Sequence, residues 1–429
     1  MKNCIAVREY AQLTTADIPS ASLEYAHVSQ ADFDWLCHLN AGFCKNGAAL
    51  LQTEGRISLR LDNYVGVIET PGGTQIEILP KTTAKTTENQ EDEIRRSRRL
   101  LVRMLQASLD LPSREAQDAD ISLFEAPLSE WVIGKFLQEL HRLATQGLHF
   151  DYLRVSGEEP FLKGQLQTAR QVRQLPHRQH LFHIRYDSFS VIRAEHRLLR
   201  LALDICMKKT EELKNWRLAT MLREMLRDIP PSTTVQQDFQ QWQKGRHMAR
   251  YTFVRPWCEL VLGKEQPLSV TGTWRGLSLL FPMEKLFERY VARKLDEQCV
   301  SRVRLRTQTA ERWLCTCGER RLFQLRPDIL LEHEDCQWIF DTKWKLLDRQ
   351  DTLYGLKQTD FYQMFAYGQQ YLGGIGELAL IYPKTAYFPD CPHPYCFTES
   401  LKLWILGFDL ETEKLCTTPD MELHKLFIQ

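Results

Sequence analysis

The chain has 429 residues, with Lys plus Arg and Asp plus Glu each totalling 55, and 43% of its residues are hydrophobic against 26% charged. At roughly 150 residues per domain, this length excludes a single small module and predicts two or three compact units, each with its own core. No window approaches the roughly 18 uninterrupted apolar residues of a membrane-spanning helix, and a net charge of zero excludes a global field that would draw in a polyanion, so a nucleic-acid surface has to come from local clustering of charge.

The amino-terminal stretch reaches Arg8 and Glu9 before an apolar run develops. A secretory signal is therefore not expected, and the protein is assigned to the cytoplasm. The twelve cysteines lack the short regular spacings of a disulfide framework and are expected to be reduced thiols. Residues 29–39 carry an N-cap serine and apolar Phe33, Leu36 and Cys37 at helical spacing. Strands are predicted over 57–61, 64–69 and 75–80, with the Pro71, Gly72, Gly73 cluster turning the last two into a hairpin. Residues 82–93 have no apolar side chain beyond Ala84 and read as an exposed loop.

Helical periodicity returns over 94–108 and 128–145, the second run stopping at Gly147. Arg95, Arg96, Arg98 and Arg99 read as a solvated face of the first of these helices. A basic stretch over 163–200 leads into a long helix through Leu198, Leu201, Ile205 and Leu213. A further helix over 216–227 is ended by Pro230 and Pro231, so the middle third reads as mostly helical. His177, His180 and His183 lie in the basic stretch with irregular spacing and no nearby cysteine, which argues against a metal site.

From about residue 279 the pattern becomes α/β, with a helix over 283–295, strands over 302–307, 322–331 and 337–345, a helix over 359–371 and a strand over 378–382. The expected organisation is α+β and multidomain. A β-rich unit with helices would span 1–160, a helical basic region 161–265, and an α/β unit with a central mixed sheet flanked by helices 266–429.

The stretch that carries chemistry begins at Arg326-Pro-Asp-Ile-Leu-Leu331 and, after a polar turn, continues as Trp338-Ile-Phe-Asp-Thr-Lys-Trp-Lys345. A period of two puts Asp341 and Lys343 on one face and Thr342 and Trp344 on the other. A hairpin connection brings Asp328 alongside, so two carboxylates converge next to a lysine. Such a hard-oxygen site suits Mg²⁺, which keeps several waters and takes one or two carboxylates together with phosphate oxygens. A metal held by Asp328 and Asp341 would polarise a phosphodiester and bring up a water. Lys343 would orient or deprotonate that water, or stabilise the phosphorane electrostatically; the sequence leaves these roles open. Charged residues interrupting apolar strands mark a site rather than an ordinary hairpin.

These residues resemble a known signature. Pro327-Asp328 followed by Asp341-Thr342-Lys343 is similar to the PD-(D/E)xK nuclease motif, and Gln363-Met-Phe-Ala-Tyr367 resembles the QxxxY helix of its RecB-like branch, with Gln363 and Tyr367 on one helical face. The segments Val65-Gly-Val-Ile-Glu and Gln75-Ile-Glu-Ile-Leu-Pro-Lys81, the Lys163-Gly164 pair, Arg193-Ala-Glu-His-Arg-Leu-Leu-Arg200 and Leu286-Phe-Glu-Arg-Tyr-Val291 stand in the order found in the McrC family, the nuclease subunits of McrBC-type 5-methylcytosine-dependent restriction systems.

That resemblance implies a PD-(D/E)xK endonuclease domain over 266–429 and a Mg²⁺ cofactor, with Mn²⁺ as a substitute. Its site would be Asp328, Asp341, Lys343, Gln363 and Tyr367, with Glu288 on the first helix completing the metal ligands. It further implies double-stranded DNA as substrate and docking of the amino-terminal unit on a hexameric AAA+ GTPase of McrB type, whose GTP hydrolysis it would stimulate. No nucleotide is expected on this chain, because neither Gly-Lys pair, at Gly134 and Gly263, belongs to a phosphate-binding loop.

Arg302, Arg304 and Arg306 alternate along one strand face near the site and are candidates to neutralise DNA phosphates. Cys315 with Cys317, and Cys391 with Cys396, match no zinc or ferredoxin spacing. A stand-alone RecB-like repair nuclease and a non-catalytic activator of a GTPase are the rival readings. The amino-terminal unit argues against the first, and the intact Asp/Asp/Lys set against the second.

Overall fold

The structure is a computed structural model. It describes all residues except 1–3, 19–21, 45–49, 82–89, 109–126, 150, 191, 244, 264–278, 301, 335, 392, 418–420 and 422–429. Contacts divide the chain into one unit of residues 1–128 and 270–429 and a second of residues 129–269. This differs from the three consecutive segments expected above, and the physical reason is a strand. Leu279–Pro282 pairs antiparallel with Tyr64–Glu69, in a sheet ordered Cys4–Arg8, Gln75–Leu79, Tyr64–Glu69, Leu279–Pro282. The chain thus returns to the amino-terminal sheet before the helix that opens the carboxyl-terminal part. Gly66 permits this approach: its φ is +130°, and a Cβ there would stand 1.8 Å from the Leu279 carbonyl oxygen. Every residue of Tyr64–Glu69 is buried, so the strand is not the half-exposed one its alternation predicts.

The amino-terminal elements otherwise follow from local chemistry. The Ser29 hydroxyl accepts from the Asp32 amide at 3.1 Å, capping the Gln30–Cys44 helix as the sequence predicts. The expected hairpin forms between Tyr64–Glu69 and Gln75–Leu79, with Gly73 at φ +84° in its turn. The Gln90–Ser108 helix begins earlier than predicted, because Glu91, Asp92 and Glu93 suit the positive end of its dipole. Residues 82–89 of the predicted loop lie outside the described residues.

Arg98 is not on a solvated face. Its guanidinium forks onto Glu77, with Nη2 to Oε2 at 2.6 Å and Nε to Oε1 at 3.0 Å, and the Glu77 side chain is completely buried. Arg98→Met would leave that carboxylate uncompensated and is expected to lower stability by about 3 kcal/mol, read as a drop in the denaturant midpoint with an unchanged slope.

The largest sheet of this unit is mixed. Its order is Arg304–Thr307, Ile329–His333, Cys336–Thr342, Gly376–Pro383, Leu401–Asp409, Tyr395–Cys396, with Lys414–Leu415 pairing on Leu401–Asp409. The first three strands pair antiparallel and the next two join in parallel. Helices flank it. From Gln358–Leu372, Met364 and Tyr367 pack with Leu330, Ile339, Leu378 and Leu380. From Met283–Gln298, Phe287 meets Trp344 at 5.2 Å between ring centroids and Tyr290 meets Phe408 at 5.9 Å.

The strand predicted over 322–331 is two strands. Arg320–Leu325 pairs with Arg312–Cys317 in a separate hairpin, and Ile329–His333 joins the sheet, with Pro327 between them.

The second unit is less helical than expected. The basic stretch contributes Phe182–Ser190, which pairs antiparallel with Asp151–Glu159 and with Gln165–Leu166. The two helices expected there form as Ala194–Lys209 and Leu213–Met225, with Leu213 opening the second rather than closing the first. Among the described residues no helix is long and apolar enough to cross a membrane.

Candidate functional site

The amino end of Ile329–His333, the carboxyl end of the antiparallel Cys336–Thr342 and one helix face build the site. Ile329 and Phe340 are register partners, so Asp328 and Asp341, one residue beyond them, lie at the same level of adjacent strands. Asp341 shares the face of Ile339, which packs under the Gln358–Leu372 helix. Lys343 follows two residues later and its ammonium pairs with Asp341 Oδ2. The face predicted for Asp341 and Lys343 is the one they occupy. Trp344 lies against Phe287 on the other side.

Asp328 is held from its own sheet neighbour. Its Oδ2 accepts from the Thr342 amide at 2.8 Å and from the Thr342 hydroxyl at 2.9 Å. Its Oδ1 accepts from Gln308 Nε2 at 3.2 Å, and the same amide donates to Glu288 Oε1 at 2.5 Å. Glu288 therefore belongs to the cluster, and Glu284 on the same helix is exposed and lacks this link. Gln308 and Thr342 escaped the sequence reading. Gln308 sits at φ +50° after an edge strand, which no motif announces, and Thr342 is the variable residue inside Asp-x-Lys.

The QxxxY pair joins the same network. Lys343 Nζ donates to Gln363 Oε1 at 3.2 Å, Gln363 Nε2 donates to the Tyr367 hydroxyl at 2.7 Å, and that hydroxyl donates to the Arg326 carbonyl at 3.0 Å. Tyr367 is buried. Neither residue touches a carboxylate of the cluster in these bonds. Their geometry is that of supports, one for the lysine head and the other for the backbone leading into Asp328.

Electrostatics follow from this crowding. Burial and the neighbouring Asp328 push the Asp341 carboxyl up to about 7, and burial with the same neighbour pushes Glu288 up to about 7. Burial also raises Asp328, against the Thr342 hydrogen bonds and the Lys343 charge that oppose it. For Lys343, burial works against the charged form, but Asp341 and Asp328 outweigh it and hold the amine above its ordinary value. The lysine is thus an ammonium at neutral pH.

The linkage has a definite sign. Asp341 and Glu288 keep protons in the fold to about pH 7 but release them near pH 4 when unfolded. Their contribution to stability is full below that lower value and fades as pH rises to about 7. The thermal midpoint of metal-free protein is expected to fall between pH 5 and 8, and to fall less in Asp341→Asn. An identical slope in the two proteins would show that this carboxyl does not carry the effect.

A cavity of about 710 Å³ opens over these groups, lined among others by Glu9, Glu288, Asp328, Asp341, Lys343 and Gln363. Among the described residues no group of three or more His, Cys, Asp or Glu side chains is placed to hold a metal ion on its own. The donor set is two crowded carboxylates, Asp328 and Asp341, with Glu288 tied to the first. It fits a hard divalent ion that completes its shell with water and substrate oxygens.

Of the three arginines, Arg302 precedes the Arg304–Thr307 edge strand and is exposed, as is Arg304. Arg306 is committed to Glu311 and Glu332. Cys315, Cys317 and Cys396 are exposed free thiols and Cys391 is a partly buried one.

The fold and site together define an α+β protein of two compact units whose main mixed sheet carries an acid–lysine centre. The chain belongs to the family of McrBC 5-methylcytosine restriction system components, whose family model matches residues 59–383. Its fold is similar, with a TM-score of 0.70 and 18% identity over 95% of both chains, to a chain of the refined half-complex from a tetradecameric assembly of Thermococcus gammatolerans McrB AAA+ hexamers with bound McrC. It is also similar to a chain of the Thermococcus gammatolerans McrBC complex, with a TM-score of 0.52 and 21% identity over 68% of this chain and 87% of that one. No curated protein matches it in sequence.

Proposed function

We propose that this chain is the Mg²⁺-dependent DNA endonuclease subunit of a 5-methylcytosine-dependent restriction system. In this reading its carboxyl-terminal part is a PD-(D/E)xK nuclease of the RecB-like branch. Its partner is an AAA+ GTPase hexamer of McrB type, which brings it double-stranded DNA and whose GTP hydrolysis it stimulates. The observation that carries the reading is the Asp341–Lys343 ion pair beside Asp328, with Lys343 held by the Gln363–Tyr367 pair. Family membership and the McrB hexamers of the similar assembly support the choice of system and partner.

Asp328 and Asp341 would hold Mg²⁺, or Mn²⁺ in its place, with Glu288 as a further ligand. The ion, when bound, supplies Lewis acidity toward a phosphodiester and acidifies a water. The chain's own groups do the rest. Lys343 meets developing negative charge on the phosphorus oxygens as an ammonium, the role that fits an amine whose neighbours keep it protonated; a general base needs the opposite shift. Gln363 fixes the direction of that ammonium through its 3.2 Å hydrogen bond. Arg302 and Arg304 would neutralise phosphates of the approaching duplex, and Arg306 contributes less because two carboxylates already hold it.

The test is cleavage of a methylated plasmid by the chain with its GTPase partner, GTP and Mg²⁺. Cutting is expected only when all are present and the DNA is methylated. Equal cutting of unmethylated DNA would remove the modification-dependent part of the reading, and cutting undiminished by chelation would remove the metal.

A further inference from the structure

One wall of the cavity comes from the far end of the sequence. Glu9 and Tyr10 line it with Asp341, Lys343 and Trp344. Glu9 is fully buried, and its Oε1 accepts two hydrogen bonds, from the Lys81 amide at 2.7 Å and from Trp344 Nε1 at 2.7 Å. Its own amide donates to the Leu79 carbonyl at 3.0 Å, directly beyond the Arg8–Leu79 register pair. One carboxylate thus joins two neighbouring strand ends of the amino-terminal sheet to the residue that follows Lys343.

The position of that residue matters because Lys343 lies just past the end of Cys336–Thr342. Its amide still donates to the Ile381 carbonyl at 2.9 Å, but the regular ladder has stopped. Trp344 is the next fixed point, with its ring against Phe287 and its indole N–H on Glu9. An apolar residue at position 9 would fill the space without burying a carboxylate, whose second oxygen has no hydrogen-bond partner among the described residues. Tyr10 adopts φ +65° in the turn that follows, a conformation unusual for a bulky residue and of the kind that gathers at functional sites.

We propose that Glu9 is a positioning residue of the cleavage site: through Trp344 it fixes the chain at Lys343 and thereby ties the amino-terminal sheet to the step at phosphorus. This rests on the nuclease reading above. Burial pushes the Glu9 carboxyl up to about 7, so glutamine is a close stand-in that keeps the accepting oxygen.

The experiment compares wild type, Glu9→Ala, Glu9→Gln, Trp344→Phe and the Glu9→Ala/Trp344→Phe double variant in the full cleavage reaction, with Asp341→Asn as control for the reading itself. Glu9→Ala is expected to lower kcat by about tenfold or more, with KM for DNA within about twofold, since small misplacements of a reacting group cost rate rather than binding. Glu9→Gln should stay within about threefold of wild type. Trp344→Phe should resemble Glu9→Ala, and the double variant should be no slower than the worse single one.

A wild-type kcat in Glu9→Ala, an equal loss in Glu9→Gln, or losses that multiply in the double variant would overturn the proposal. If wild type does not cut, or Asp341→Asn cuts as well, the nuclease reading fails instead. The contact then stands on the Trp344 indole N–H resonance, which should move in Glu9→Ala but not in Asp341→Asn; an unmoved resonance in Glu9→Ala overturns the contact too.

Discussion

Asp341→Ala is expected to reduce Mg²⁺-dependent cleavage by roughly 10³-fold, because loss of a metal ligand forfeits several kcal/mol of charge stabilisation at about 1.4 kcal/mol per factor of ten. Single-turnover cleavage of methylated plasmid measures it. The fold should survive the change. Asp341 is 1% exposed and is raised by burial and by Asp328, so its removal relieves repulsion as well as leaving Lys343 without its partner. Stimulation of the partner's GTPase should persist, because Asp341 lies outside the amino-terminal sheets. Cleavage at the wild-type rate in a folded variant would dissociate this carboxylate from the chemistry and leave the proposed metal site without its buried ligand.

Lys343→Met is expected to lower the cleavage rate by roughly 10²–10³-fold, the range for removing one donor aimed at developing charge, with DNA affinity changed by no more than a few-fold. Arginine should not restore the rate, since its planar fork cannot occupy the place of a point charge held by Asp341 and Gln363. A pH profile separates the two lysine roles. If Lys343 acts as an ammonium, wild-type activity shows no ascending limb attributable to loss of its proton. A rate that rises with deprotonation of a group removed by Lys343→Met would make it the base.

The parts of the molecule legible in the sequence are those in which chemistry and periodicity coincide. The Asp341/Lys343 face follows from a strand period of two, and Ser29 announces its helix by capping it. The Gln363–Tyr367 pair was visible as i, i+4 spacing, and its hydrogen bonds run along the helix face in the direction that spacing implies. What could not be read was non-local. Gln308 joins Glu288 to Asp328 across 20 residues in each direction, and Arg98 is neutralised by a glutamate on a strand 21 residues earlier. Within one segment, a run of arginines ahead of apolar residues looks solvated whether or not a carboxylate waits below it. The strand break at Pro327 is hidden in the sequence for a related reason. Alternating apolar residues continue through it, and only the missing amide hydrogen shows where one ladder ends and another begins.

The pairing of Leu280 with Gly66 bears on how this protein can be divided. A fragment that starts at the Met283–Gln298 helix would contain every proposed ligand of the ion, yet it would leave behind both Glu9 and the Leu279–Pro282 leader with the ribbon it zips against. A fragment cut ahead of Leu279 would instead bare the edge of Tyr64–Glu69 to aggregation. Domain-swap chimaeras with relatives should therefore exchange residues 279–282 together with the first 80, so that each hybrid inherits matching halves of the seam.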